Sequence, residues 1–145
     1  MKILLGVDGS KFSSDAFRAI ITQFRTENTE VRVLHVLQPI TLLAPPEMAP
    51  GYMPELEAQK EPARELVEQI AKQLREAGFK ASTAVEIGDV RMCIIDAAAE
   101  WGADLIVVGS HGLKGIRGFL LGSVAESVAR HAKCSVEIVR TPVRA

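Results

Sequence analysis

A glycine-rich stretch, residues 109–123, combines residue types that suit the binding of a phosphate group. It carries five glycines, and glycine lets backbone amides line a concave surface that a ligand approaches closely. Lys114 and Arg117 add positive charge, and a helix predicted from Ser123 adds unpaired amides and the positive end of its dipole. A flexible turn would not need so many glycines, so we predict an anion site here rather than a simple connection.

The glycine spacing differs from that of the two common phosphate loops. GxxxxGK[ST] and GxGxxG are absent. The stretch instead reads G-x2-G-x9-G-S, which Gly109, Gly112, Gly122 and Ser123 satisfy. Ser123 is predicted to cap its helix and to donate its hydroxyl to a phosphate.

Alternating strands and helices must position this stretch. Apolar runs predict strands at Ile3–Val7, Val31–Leu37, Ala81–Ile87, Asp104–Gly109 and Ser135–Arg140. Helical spacing predicts a helix capped by Ser13, a helix over Glu55–Ala77 that Pro62 interrupts, a helix over Val90–Trp101 capped by Asp89, and a helix over Ser123–Ala132. This order predicts an α/β fold, an open and doubly wound parallel sheet of five strands with helices on both faces. Its ligand crevice should lie at the carboxyl ends of the strands.

A proline-rich segment, Gln38–Pro54, interrupts this alternation. Five prolines in seventeen residues exclude regular structure, and the segment is long for a connection. We predict a mobile surface loop. Two roles stay open for it: a lid or partner-contact segment, and a variable insertion without a role.

Length and composition limit the classes of protein that remain. The chain has 145 residues with a net charge of −1, so we predict one domain, residues 1–145, that does not hold nucleic acid through bulk charge. Its two cysteines form no CxxC motif or Cys/His cluster, which argues against a metal site. No signal peptide or membrane span is predicted, so the expected location is the cytoplasm.

Asp8 and His111 are the candidate polar side chains outside the glycine pattern. Asp8 ends the first strand beside the predicted crevice, where a carboxylate would accept hydrogen bonds from ribose hydroxyls. The alternative is a simple cap of the strand or helix end. His111 is not predicted to be a catalytic base, because the sequence places no carboxylate to orient it and hydrolysis usually needs a metal. We predict no catalytic residue.

The sequence resembles the universal stress protein family, in its nucleotide-binding branch. Residues 3–10, Ile-Leu-Leu-Gly-Val-Asp-Gly-Ser, are similar to the family's first strand and its aspartate. Leu34-His35-Val36 resembles the end of its second strand. Residues 109–112 and 121–125 resemble its signature loop and helix start, and the likeness spans nearly the whole chain.

This resemblance implies strand order 3-2-1-4-5. It also implies a bound nucleotide, ATP or alternatively AMP or ADP, with or without Mg²⁺. Gly6, Val7 and Asp8 would line the adenosine side, and Val36 would lie beside the adenine. Around the ribose and phosphates it implies Gly109, Ser110, His111, Gly112, Lys114, Gly115, Gly122, Ser123 and Val124.

The resemblance also implies a homodimer that pairs the edge strand Ser135–Arg140 across a two-fold axis. Two positions depart from the family pattern: Ser135 stands where the family often has proline, and Glu137 replaces an apolar residue. Glu137 would either face solvent or weaken or redirect the pairing. The implied function is a nucleotide-dependent regulatory or stress-response protein. The alternatives are a slow ATPase or phosphotransferase that uses the same crevice, and an interaction module that binds no nucleotide.

Overall fold

The structure is a computed structural model that describes residues 1–39, 54–111 and 121–141. Strands and helices alternate along these residues, as predicted. The elements are β1 (Lys2–Gly6), α1 (Lys11–Gln23), β2 (Glu30–Leu37), α2 (Pro54–Glu76), β3 (Lys80–Ile87), α3 (Val90–Trp101), β4 (Leu105–Gly109), α4 (Ser123–His131) and β5 (Ser135–Val139). Residues 40–53 of the proline-rich segment lie outside the described residues.

The five strands form one parallel sheet in the order β3-β2-β1-β4-β5. This confirms the predicted fold class and strand order. Leu5 in β1 is paired with Val33 on one side and with Val107 on the other. The direction in which strands are added reverses between β1 and β4, so the crevice of a doubly wound sheet lies at the carboxyl ends of these two strands.

Alternate residues of the central strands supply two hydrophobic clusters, one on each face of the sheet. Ile3 and Leu5 pack with the helices α1 and α2, whereas Leu4 packs with α3 and α4. All three side chains are fully buried. A strand that is covered on both faces has an almost continuous run of apolar residues. This is why β1 and β4 are recognisable in the sequence. The edge strand β3 is half exposed, as its alternating pattern predicts.

The N-cap prediction for the first helix is wrong. Ser10, not Ser13, caps α1: its Oγ accepts from the backbone N–H of Ser13 at 3.2 Å. Gly9 turns the chain with φ of +83°, a conformation that favours glycine, and so starts the helix earlier than the apolar stripe suggests. Ser13 is buried in the first turn, and its hydroxyl donates to the Ser10 carbonyl at 3.0 Å.

Pro62 does not interrupt the second helix as predicted. α2 runs for 23 residues from Pro54 to Glu76 with Pro62 inside it. Ala63, Val67 and Leu74 are buried on one side of α2, and this packing offsets the hydrogen bond that a proline removes. Among the described residues, no helix has both the length and the apolar character needed to cross a lipid bilayer.

Candidate functional site

The predicted site residues of β1 and β4 leave the sheet at the same edge. Leu5 pairs with Val107; two residues further along, Val7 directly follows the end of β1 and Gly109 is the last residue of β4. A Cβ on Gly6 would come within 3.2 Å of Val108 Cγ1, so the two strands stay in close contact up to their ends. Residues 7–8 and 109–111 therefore border one crevice.

Backbone hydrogen bonding holds Val7 and Asp8 at the end of β1. The Val7 N–H donates to Leu34 O at 2.9 Å, and Val7 O lies 2.7 Å from His35 Nδ1. A carbonyl oxygen is an acceptor, so Nδ1 must carry the proton of this bond. Asp8 is half-buried, and its Oδ1 accepts from the Ser10 N–H at 2.9 Å. The carboxylate thus closes a turn at the crevice, while Ser10 provides the helix cap.

Gly109 allows α1 to approach the end of β4. A Cβ at this position would lie 2.6 Å from the carbonyl oxygen of Phe12 and 2.7 Å from its carbonyl carbon. No side chain fits there unless the backbone moves. From the sequence this glycine is predicted to allow the close approach of a ligand, whereas in the structure it accommodates the first turn of α1.

A hydrogen bond to Ser110 joins the two ends of the glycine-rich stretch. Ser110 is 3% exposed. Its N–H donates to Val139 O at 2.9 Å, and its carbonyl accepts from the Gly122 N–H at 2.7 Å. A Cβ on Gly122 would lie 3.0 Å from both Ser110 O and the Cα of His111, so this contact favours glycine. The stretch therefore starts and ends at one point beside the crevice.

His111 packs against the start of α1. Its Nδ1 is 3.0 Å from Ser110 Oγ, and its ring centroid is 5.2 Å from that of Phe12. Three predicted site residues that follow it, Gly112, Lys114 and Gly115, lie outside the described residues, and so does Arg117.

The cap prediction for Ser123 is wrong. Gly122 has extended backbone angles and occupies the N-cap position, where it has no side chain to accept a hydrogen bond. Ser123 is the first residue of α4, and its side chain is exposed at the amino end of the helix. This placement leaves the hydroxyl beside the first-turn amides, which are the groups that bind an anion at a helix start.

Val36 and Val124 are apolar parts of the predicted site. Val36 lies in β2 and is 9% exposed, and Val124 in α4 is half-buried. Both belong to the cluster on the α3 and α4 face of the sheet. Each therefore lies near the carboxyl edge with most of its surface already covered by the core.

Two other surface features bear on the assignment of the site. A groove of about 860 Å³ opens between α2 and β3, and charged side chains such as Lys60, Glu65 and Lys72 line much of it. The described residues that line it include no glycine and no helix start of the kind that suits a phosphate, so the β1–β4 edge is the better candidate. Within the described ranges, no three His, Cys, Asp or Glu side chains are grouped so as to hold a metal ion.

Three residues of the site were missed by the sequence analysis: Ser10, Phe12 and His35. Ser10 follows Asp8-Gly9, a turn signal that predicts an early helix start. The position of His35 next to Val36 on a strand suggested only a place in or near the core. Its bond to the Val7 carbonyl depends on the pairing of β1 with β2, which local sequence does not reveal.

Comparison with known proteins identifies relatives along almost the whole chain. The model of the universal stress protein family matches residues 1–140. The universal stress protein Sll1388 of Synechocystis is 32% identical over 149 aligned residues, which cover 96% of this chain and 97% of that protein. The universal stress protein YxiE of Bacillus subtilis is also 32% identical, over 96% of this chain and 98% of its own length.

Solved structures share the same fold. The protein MJ0577 superposes with a TM-score of 0.85 at 29% identity, covering 99% of this chain and 97% of its own. A universal stress protein in complex with cAMP superposes with a TM-score of 0.72 at 26% identity, covering 98% of this chain and 98% of its own. The matched length, the strand order and the shared sequence agree, and the chain belongs to the universal stress protein family.

Proposed function

We propose that this chain is a cytoplasmic, ATP-binding regulatory protein that acts as a homodimer. The observation that carries the proposal is the hydrogen bond from Gly122 to Ser110, which brings the start of α4 to the end of β4, beside the exit of β1. A nucleotide in this crevice would meet a carboxylate and a helix amino end together. The universal stress protein solved with cAMP favours an adenine nucleotide as the ligand.

Each end of the crevice suits a different part of ATP. Asp8 would accept hydrogen bonds from the ribose hydroxyls through its carboxylate, which the Ser10 N–H already orients. The first-turn amides of α4 and the Ser123 hydroxyl would donate to phosphate oxygens. Mg²⁺ that accompanies ATP would be held by the phosphates and by water, because this ion usually keeps several water ligands.

ATP would act as a signal through the surface next to its site. Ser110 connects the glycine-rich stretch to Val139 at the end of β5 through a 2.9 Å hydrogen bond. A change in the stretch upon binding would therefore reach the edge strand, and with it the dimer surface. By this route, bound nucleotide would change a surface that a partner contacts, within a protein of one domain.

The homodimer would form through the outer edge of β5. Glu137 does not block this edge: with its amide nitrogen turned toward the carboxylate, Gln23 of α1 donates to both Glu137 oxygens. The Glu137 side chain thus lies over the face of the sheet, whereas Val136 and Ile138 pack on the opposite face. Light scattering over a wide range of protein concentration should give twice the chain mass of 15.7 kDa. A mass of one chain throughout would contradict the dimer.

Calorimetry with ATP tests the nucleotide site. The unmodified protein should bind, and mass spectrometry of small molecules released on denaturation should detect an adenine nucleotide. Asp8→Asn keeps an oxygen for the Ser10 N–H but removes the charge. It should weaken ATP binding by about tenfold, since hydrogen bonds to charged groups contribute more than neutral ones.

Asp104→Asn is the matched control for this variant. Asp104 accepts from the Lys2 N–H at 2.7 Å just before β4, at the opposite edge of the sheet. It should leave ATP affinity unchanged. No binding of ATP by the unmodified protein at millimolar concentration would contradict the proposed function.

A further inference from the structure

The residue that precedes Asp8 is contacted by a histidine in the neighbouring strand. His35 lies in β2, is half-buried, and has its Nδ1 2.7 Å from the carbonyl oxygen of Val7. That carbonyl follows the last residue of β1 and belongs to a residue that is 5% exposed. A buried carbonyl needs a donor, and at this point of the chain the donor is a side chain.

The peptide unit that His35 contacts is the one that joins Val7 to Asp8. Its C=O and N–H are coplanar and point in opposite directions. The carbonyl bonds to the His35 ring, so the Asp8 N–H points away from that ring. The Val7 N–H is bound to Leu34 O at 2.9 Å, so both sides of Val7 are held by β2.

We propose that His35 is a positioning residue for the nucleotide: through the Val7 carbonyl it sets the Val7–Asp8 peptide plane and so aims Asp8 at the ribose. The assignment rests on the proposed function. Without the Nδ1 donor, the Val7 carbonyl would turn toward another partner. That rotation would carry the Asp8 backbone with it and displace the carboxylate from the ribose hydroxyls.

The test compares two substitutions of similar size. His35→Asn places an amide N–H near the position of Nδ1 and should keep ATP affinity close to that of the unmodified protein. His35→Leu has no donor and should weaken ATP binding by about tenfold, the loss expected when a buried acceptor is left unpaired. If His35→Leu does not fold, His35→Gln replaces it, because its longer side chain carries the amide to the position of Nε2.

A nucleotide without ribose hydroxyls separates positioning from general structural damage. For 2′,3′-dideoxy-ATP, which cannot use Asp8 in this way, the loss caused by His35→Leu should shrink to less than about twofold. Three results would overturn the role of His35 but not the proposed function. They are an equal loss of affinity for ATP and its dideoxy analogue, equal ATP affinities of the Leu and Asn variants, and unchanged ATP binding by folded His35→Leu. Failure of the unmodified protein to bind ATP would overturn the proposed function as well.

Discussion

α1 and α4 both begin at the carboxyl edge of the sheet, but their amino ends are completed differently. The side chain of Ser10 caps α1, with Oγ accepting from the Ser13 N–H at 3.2 Å. The N-cap of α4 is Gly122, which offers no side-chain acceptor. Among the described residues, the first turn of α1 is thus satisfied by its own sequence, whereas the first turn of α4 is open to a partner from outside.

This difference separates the helix start that is completed by its own side chains from the one proposed to bind a phosphate. Around α1, the Asp8 carboxylate, the Ser10 hydroxyl and the Ser13 hydroxyl all bond within the segment 8–13. Around α4, the backbone of Gly122 is anchored to Ser110, and the exposed Ser123 side chain lies at the helix end. A glycine cap lets this end be held firmly without using the amide groups that an anion needs.

The largest effect is expected where α1 rests on β4. Gly109→Ala places a Cβ 2.6 Å from the Phe12 carbonyl oxygen, so the start of α1 must move. We expect the free energy of unfolding to fall by about 3 kcal/mol, at the upper end of the usual cost of overpacking. Urea denaturation measures this change.

Gly102→Ala is the control for this substitution. Gly102 has φ of +73° and nothing within 4 Å of an added Cβ, so the cost is conformational. It should be about 1 kcal/mol, the cost of the left-handed region for an alanine. If Gly109→Ala lowers the free energy of unfolding no more than Gly102→Ala does, α1 does not pack closely against the end of β4.

Serine-to-alanine substitutions compare the two helix starts directly. Ser10→Ala removes the cap of α1 and should lower the free energy of unfolding by about 1 kcal/mol. Ser123→Ala should leave stability nearly unchanged and weaken ATP binding by a few-fold, because it removes a neutral hydrogen bond to phosphate. Thermal denaturation and calorimetry with ATP give the two measurements.

Ser14→Ala serves as the reference for both serine variants. Ser14 is exposed in α1, so its replacement should change neither stability nor binding appreciably. Loss of stability in Ser123→Ala equal to that in Ser10→Ala would show that the two helix starts are alike and would remove the contrast.

The smallest effect concerns α3, a third helix start at the same edge, and depends on pH. The Met92 N–H donates to Asp89 Oδ1 at 3.1 Å, and this bond, together with Arg91, holds the pKa of Asp89 below its ordinary value of 3.8. The ionised carboxylate therefore stabilises the folded state above that ordinary value. The contribution is lost as pH falls through the lowered pKa of the folded state.

Asp89→Asn keeps a good cap but does not titrate. The unmodified protein should be slightly more stable than this variant at neutral pH, and the difference should disappear below the lowered pKa. Denaturation midpoints measured from pH 7 down to strongly acidic buffer give the comparison. A difference that grows toward acid pH would contradict the origin assigned to it.

The sequence predicts most of the fold because local patterns of apolar residues and helix caps specify the strands and helices. The apolar runs of β1 and β4 and the Asp89 cap of α3 appear in the structure at or within one residue of their predicted bounds. The cap of α1 was missed although a local turn signal precedes it, whereas the error at Pro62 occurs where a local rule competes with tertiary packing. Pro62 stays helical because α2 buries one face against β2 and β3, and no property of Pro62 itself shows this.

The candidate site, too, is only partly predictable from the sequence. The residue types and the spacing of Asp8, Gly109, Gly122 and Ser123 are visible in the sequence, and they are those expected of an anion and ribose site. The reasons why glycine stands at 109 and 122 are not visible. One accommodates the Phe12 backbone and the other the Ser110 carbonyl, and both contacts join segments far apart in the chain.

By itself the sequence determines the order of the strands and helices and the residue types that suit an anion site, since these follow from periodicity and residue chemistry, and its motifs carry the resemblance to the family. Tertiary structure determines which groups meet: His35 with the Val7 carbonyl, and Gly122 with Ser110. The physical reason is that these hydrogen bonds form only after parallel strands pair in one register, which brings together residues that local sequence leaves unrelated.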